Sequence, residues 1–245
     1  MMMMYVRTLT MSISFILAGF VSLYQAEILQ NNTPPVIKIK LPRTVAGYAW
    51  NTSIRYSIVV SDKEDGESKY DEIPSNEVFV ELHYFSDMLK ATAFIKAGNK
   101  KEDSGLAAIK RQDCFNCHMV GATLIGPAFK DVSRKYKKDT DVELLQSRII
   151  NGSTGIWGSA VMPTHADLPK NVAQQMVRWI LGNACDPAVE YLRGAEGSFK
   201  LNSRADKTAN GVFVLVAAYA DHGINDNVSL SLTGRDFMVI NPSKK

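Results

Sequence analysis

Apolar residues recur at every second position in two outer parts of this chain and at every third or fourth position in the stretch between them. Ile54, Tyr56, Ile58 and Val60 fall on one face of a predicted strand, and Val78, Val80, Leu82 and Tyr84 on one face of another. Val36 to Lys40 predicts a shorter strand, with Pro42 and Gly47 punctuating the route onward. Beyond residue 185 the alternation returns in Val212, Val214, Val216, Ala218 and Ala220, and residues 228–232 and 237–240 predict two more strands. Helical spacing begins near Thr92. Ser104 is the expected cap of a helix carrying Leu106 and Ile109, and Ala128, Phe129, Val132 and Tyr136 fit a second helix. Thr140-Asp141-Val142-Glu143 reads as a capping box ahead of Leu144, Leu145 and Ile149. Asp167 and Pro169 open a last helix that bears Val172, Met176, Trp179 and Ile180 and stops at Gly182.

The two β pieces, residues 33–91 and 186–245, contain 59 and 60 residues. Domains that small bury too little surface to be comfortable alone. Together they approach the roughly 100 residues of an immunoglobulin-like sandwich. The expected architecture is therefore multidomain: an all-α domain over 92–185 inserted into one all-β sandwich made from both flanks. Ahead of it, residues 1–26 carry Arg7 and then an apolar run from Ile13 to Val21 before the first acid, Glu27, which reads as a signal peptide cleaved near Ala26. The run is interrupted by Ser12, Ser14 and Ser22 and falls short of the roughly 20 apolar residues of a spanning helix, although Tyr24 marks the cleavage site poorly and leaves an uncleaved anchor as the alternative. Either way the chain is expected in the periplasm or outside the cell.

A composition of 46% hydrophobic and 22% charged residues is globular, and a net charge of +3 is too small to imply nucleic acid. The three cysteines exclude a disulfide framework and direct attention to Cys114-Phe115-Asn116-Cys117-His118. Two thiols three positions apart followed by an imidazole is the pattern for covalent haem attachment, the thiols adding to porphyrin vinyl groups and His118 binding iron. The competing reading, a zinc site completed by Cys185 and His165, fits no common spacing. Cys185 is then expected to pack as a small buried side chain. Met162, in a glycine-rich loop before Pro163 and on a backbone no regular ladder fixes, is the expected second iron ligand.

Residues from about 93 to 182 resemble the small bacterial monohaem class I cytochromes c. The resemblance is carried by the haem motif, by Gly126-Pro127-Ala128-Phe129-Lys130-Asp131-Val132, and by Arg148 through Gly158 followed by Met162-Pro163. It implies that the Pro127 carbonyl accepts a hydrogen bond from the second ring nitrogen of His118, that Arg148 and Trp157 bond the haem propionates, and that Trp179 packs in the last helix. His165 departs from the family, which commonly has asparagine three residues after the ligand methionine. With His118 and Met162 filling both axial positions no substrate site is left open. The implied role is one-electron transfer to or from a redox enzyme such as a dehydrogenase or oxidase, as a carrier and not as an enzyme. Gly211 to Asp221 and Ser57 to Glu67 resemble strands of bacterial PKD-type and related immunoglobulin-like domains.

Two side features complete the reading. Asp62, Glu64, Asp65, Glu67, Asp71 and Glu72 concentrate oxygen donors as a calcium loop would, and Lys130, Arg134, Lys135, Lys137 and Lys138 could steer an acidic redox partner. The rival function is an adhesive or carbohydrate-binding β module whose accessory cytochrome serves a sugar dehydrogenase. A third, a sensor of small gases, requires Met162 to be a labile ligand.

Overall fold

The structure is a computed structural model that describes residues 32–43, 47–98, 103–112, 114–202, 211–224 and 230–243. The expected signal peptide, residues 1–26, lies outside these.

Among the described residues, two antiparallel sheets of four strands form the β part. In the first, β2 (Ser53–Asp62) pairs with β1 (Val36–Lys40), with the short β3 (Gly66–Glu67), and with β6 (Glu196–Lys200). In the second the order is β5-β4-β7-β8, from Val189–Arg193, Phe79–Phe85, Val212–Ala220 and Thr233–Ile240. The pairings β2 with β6 and β4 with β7 join strands from opposite sides of the helical segment. Ile54, Ile58 and Val60 of the first sheet and Val80, Leu82, Phe213 and Leu215 of the second belong to one buried apolar cluster. The alternation read at 54–60 and 78–84 is the period of these inward faces.

Strand β7 is apolar at every position and buried from Val212 to Tyr219. Phe213, Leu215, Ala217 and Tyr219 face the inner cluster. The opposite face, Val212, Val214 and Val216, is covered by Ala91, Phe94 and Ile95 of helix α1 (Met88–Ala97) together with Phe237. Burial on both faces is what a continuous apolar run predicts in any sheet covered on both sides. Helix α1 starts at Met88, four residues before the expected texture change, because the Asp87 carboxylate accepts from the Lys90 amide at 2.9 Å and caps it.

Four further α-helices follow among the described residues: α2 (Ser104–Arg111), α3 (Phe129–Lys135), α4 (Val142–Asn151) and α5 (Lys170–Asn183). Their core joins Leu106 and Ile109 of α2 to Phe129 of α3 and to Met176, Trp179 and Ile180 of α5. Helices α2 and α5 cross so closely that a Cβ at Gly105 would stand 2.3 Å from the Gln175 carbonyl oxygen, so only glycine fits there. Phe79 of β4 and Tyr191 of β5 extend the same core into the second sheet.

Several local expectations are corrected. Asp103, not Ser104, caps α2, its carboxylate accepting from the Gly105 amide at 2.8 Å. The capping box ahead of α4 does not form, because the N-cap is Asp141 and its carboxylate turns back to accept from the Lys137 amide at 2.6 Å. Of the strand expected over 228–232, residues 228 and 229 lie outside the described residues and 230–232 are not strand; pairing starts at Thr233. Cys185 is exposed, since α5 ends at Asn183 and the buried place beside it goes to Ala184. No helix among the described residues is long and apolar enough to cross a membrane.

Candidate functional site: a haem cleft

Cys114 opens a single 3-10 turn, Cys114–Asn116, and its carbonyl accepts from the amides of Cys117 at 3.2 Å and His118 at 2.9 Å. That tight turn brings both thiols and the imidazole to one wall of an apolar cleft, which holds about 1060 Å³ of space between atoms and is partly open to solvent. Ile109, Phe129, Leu145 and Ile180 line it. Met162 stands in the same cleft with Arg148 and Trp157.

The ring of His118 is fixed from three sides. Its Nδ1 donates to the Pro127 carbonyl at 2.7 Å, which leaves Nε2 as the nitrogen with a lone pair for iron. Phe129 stacks on it, ring centroids 5.1 Å apart and planes 15° apart. Behind it, the Cβ missing at Gly126 would lie 2.4 Å from Cε1, so glycine there is what admits the imidazole. Burial lowers the His118 pKa, the Pro127 carbonyl acting in the opposite direction. A neutral imidazole is the ligand form.

Met162 is held more firmly than a free loop would hold it. It forms an isolated antiparallel bridge with Ser153, donating to the Ser153 carbonyl at 2.8 Å and accepting from its amide at 3.1 Å. His165 does not line the cleft; its amide donates to the Ile150 carbonyl at 3.1 Å and ties the loop to the end of α4. Arg148 donates to the Tyr136 hydroxyl at 2.6 Å, with its guanidinium 5.2 Å from the centre of that ring. Trp157 is 41% exposed, too open for a core tryptophan, and the Lys135 ammonium sits 4.5 Å above its ring. One member of the basic stretch thus stands at the rim of the cleft.

The residues fit a covalent haem: two thiols for the vinyl groups, a nitrogen and a thioether for iron, and apolar walls for the macrocycle. They do not fit zinc. Among the described residues no group of three or more His, Cys, Asp or Glu side chains is arranged to hold a metal ion, and Cys185 donates instead to the Lys130 carbonyl at 3.4 Å.

Sequence reasoning missed the contact between this site and the sheet. Arg193, the last residue of β5, donates from Nη1 to the Phe115 carbonyl at 2.6 Å, from Nη2 to Asn116 Oδ1 at 2.7 Å and from Nε to the Asn76 carbonyl at 2.6 Å. Both residues between the haem cysteines are therefore gripped by one guanidinium. Phe79 packs on Phe115 with centroids 4.9 Å apart, and Lys110 of α2 lies 4.0 Å above the Phe79 ring. Beneath them, Glu81 accepts from His83 Nε2 at 2.7 Å and faces the Lys110 ammonium at 3.9 Å. Burial pushes the Glu81 carboxyl up, but the His83 bond and the charges of Lys110, His83 and Arg235 outweigh it and hold the pKa below the usual value. An arginine 78 residues from its partner carries no motif, so no sequence signal marks it.

A haem-attachment motif and a methionine lining one apolar cleft define a c-type cytochrome domain. Cytochrome c-552 of Nitrosomonas europaea is 37% identical over 92 residues, 37% of this chain and 87% of that protein. Cytochrome c-551 of Pseudomonas aeruginosa is 34% identical over 94 residues, 38% of this chain and 89% of its own length. The chain belongs to this family of class I monohaem cytochromes c, and it carries one covalently bound haem c. The crystal structure of the wild-type Nitrosomonas europaea protein aligns with 31% of this chain and 96% of its own at 35% identity, with a TM-score of 0.30. No family model matches the chain.

Proposed function

We propose that this c-type cytochrome moves single electrons between redox proteins of the periplasm, with His118 and Met162 as the two axial ligands of its haem. In this reading Pro127 orients and enriches the imidazole, and Arg148 and Trp157 meet the propionates at the cleft mouth. Haem supplies the one-electron couple; the protein's own groups fix the iron's ligands, keep water from its apolar faces and so limit reorganisation. Lys135 at the rim favours an acidic partner such as a dehydrogenase or oxidase. The cytochrome is an insertion in an immunoglobulin-like sandwich, exported behind a signal peptide at residues 1–26. The observation that carries the reading is the cleft itself, where Cys114, Cys117, His118 and Met162 converge.

A spectrum and a redox titration of the purified protein test it. The ferric protein at neutral pH is expected to show the far-red absorption of methionine sulfur on iron. Met162→Ala should lose that band and lower the reduction potential, within the roughly 0.8 V range that axial ligation spans. Native protein without the band, or a variant with an unchanged potential, sinks Met162 as ligand.

A further inference from the structure

The acidic turn after β2 does not converge on itself. Glu67 pairs with Lys69 at 2.6 Å, and Glu72 Oε2 accepts from the Glu67 amide at 2.8 Å. Asp62 takes part in neither contact. It is 6% exposed; its Oδ1 accepts from the amides of Glu64 at 2.9 Å and Asp65 at 2.8 Å, whereas its Oδ2 is buried with no hydrogen-bond partner among the described residues. Asn32, also 6% exposed, is in the same condition. Its Nδ2 donates to Asp221 Oδ1 at 3.3 Å, to Asp221 Oδ2 at 3.2 Å and to the Leu230 carbonyl at 2.8 Å, and its Oδ1 is left without a partner among the described residues.

Asp221 is linked to both, hydrogen-bonded to Asn32 and near enough to Asp62 for the two charges to act on each other. It is 2% exposed, and its Oδ1 also accepts from the amides of Gly223 and Leu232, both at 2.9 Å. Asp65 is committed elsewhere: Oδ2 accepts from the Tyr219 hydroxyl at 2.6 Å and the His222 amide at 3.0 Å, and Oδ1 faces His222 Nδ1 at 3.4 Å. Burial raises the Asp62 pKa; the amides of Asp65 and Glu64 oppose that, and the charges of Asp65 and Asp221 reinforce it. Native proteins leave few buried acceptors unpaired, because nothing then replaces the water they lost. Two such oxygens here belong to residues that each interact with a third, buried carboxylate.

We infer that Asp62 Oδ2, Asn32 Oδ1 and Asp221 Oδ2 bind a calcium ion where the β2–β3 turn meets the segment after β7. The donor set is oxygen only and mixes two carboxylates with an amide, as calcium accepts; backbone carbonyls and water complete its six to eight ligands. Magnesium keeps a tighter octahedral shell with most of its waters and suits a buried site less well. Because only the folded chain brings Asn32 to Asp221, 189 positions away, the ion stabilises the native state.

The rival is a proton on Asp62 Oδ2, and it is separable. Full-length haem protein is freed of metal with chelator and titrated with calcium chloride by calorimetry, with thermal melts in calcium, magnesium and chelator. One calcium per chain, a melting temperature several degrees higher in calcium, and loss of both effects in Asp62→Asn with an unchanged haem spectrum are expected. Asn32→Ala should weaken binding at least tenfold and carries the test if Asp62→Asn does not fold. No saturable binding at millimolar calcium, or equal binding by Asp62→Asn or Asn32→Ala, overturns the site. Asp62→Asn melting at or above the chelated wild type, with neither protein responding to calcium, assigns a proton instead.

Discussion

Gly126 is where one methyl group decides whether the His118 ring keeps its place. Its own contribution is an absence, since a Cβ there would overlap the imidazole at 2.4 Å from Cε1. Gly126→Ala is expected to push the ring off its bond to the Pro127 carbonyl, at an overpacking cost of about 1–3 kcal/mol. The check is the haem spectrum together with the urea midpoint; an unchanged spectrum would show that the ring accommodates the methyl. At this scale much of the site was legible. Cys114, Cys117 and His118 form a contiguous chemical pattern, Met162 stands before Pro163 in a glycine-rich loop, and Pro127 comes with the resemblance. What the sequence left open is how each is held. The Ser153 bridge to Met162 and the stacking of Phe129 on His118 follow from tertiary placement, which spacing along the chain does not encode.

Between elements, Arg193 and Glu81 fasten the haem segment to the second sheet. Arg193→Ala removes three charge-assisted hydrogen bonds and leaves the Phe115 and Asn76 carbonyls without this donor. The expected loss is about 1.5–3 kcal/mol. Arg193→Lys should recover little, because one ammonium cannot serve three acceptors in a fixed fork. Amide exchange at Cys117 and His118 would report it, rising in the alanine variant if the grip is real. Glu81 adds a pH dependence of definite sign. Its folded pKa lies below the unfolded value near 4.3, so its contribution is present above that pH and disappears as acid carries the folded group through its own lower pKa. Glu81→Gln should therefore cost about 1–3 kcal/mol at pH 7 and much less at pH 3, read from paired urea melts. A gap that does not narrow in acid would show that packing, not charge, is what Gln lacks. The elements themselves were unevenly legible. Strands β2, β4 and β7 announce their faces by alternation or unbroken apolar run, whereas β5 is half-buried throughout and β6 buries Phe199 alone, too little pattern to register.

For the whole molecule, the question is what the haem segment interrupts. Strands β4 and β5 are hydrogen-bonded neighbours, His83 opposite Val189 and the Tyr84 amide donating to the Ala188 carbonyl at 2.8 Å, so residues 86–187 occupy the place of a hairpin loop. Alternation marked both flanks as β but carried nothing about partners; pairing across more than a hundred residues is settled by which faces bury each other. This geometry makes the proposed split sandwich sharply testable. Truncation after Cys185 removes both neighbours of β4, namely β5 and β7, and takes Phe199, Phe213, Leu215 and Tyr219 out of the core that Val80 and Leu82 enter. The remaining strands β1 to β3 make a small sheet with one bare apolar face, and β4 is left with no strand to pair with. The truncated protein should therefore lose its β circular dichroism and cooperative melting in the first flank, even where haem remains attached. A first flank that resists protease and melts cooperatively without residues 186–245 would instead make it a domain of its own, with the cytochrome a neighbour and not an insertion.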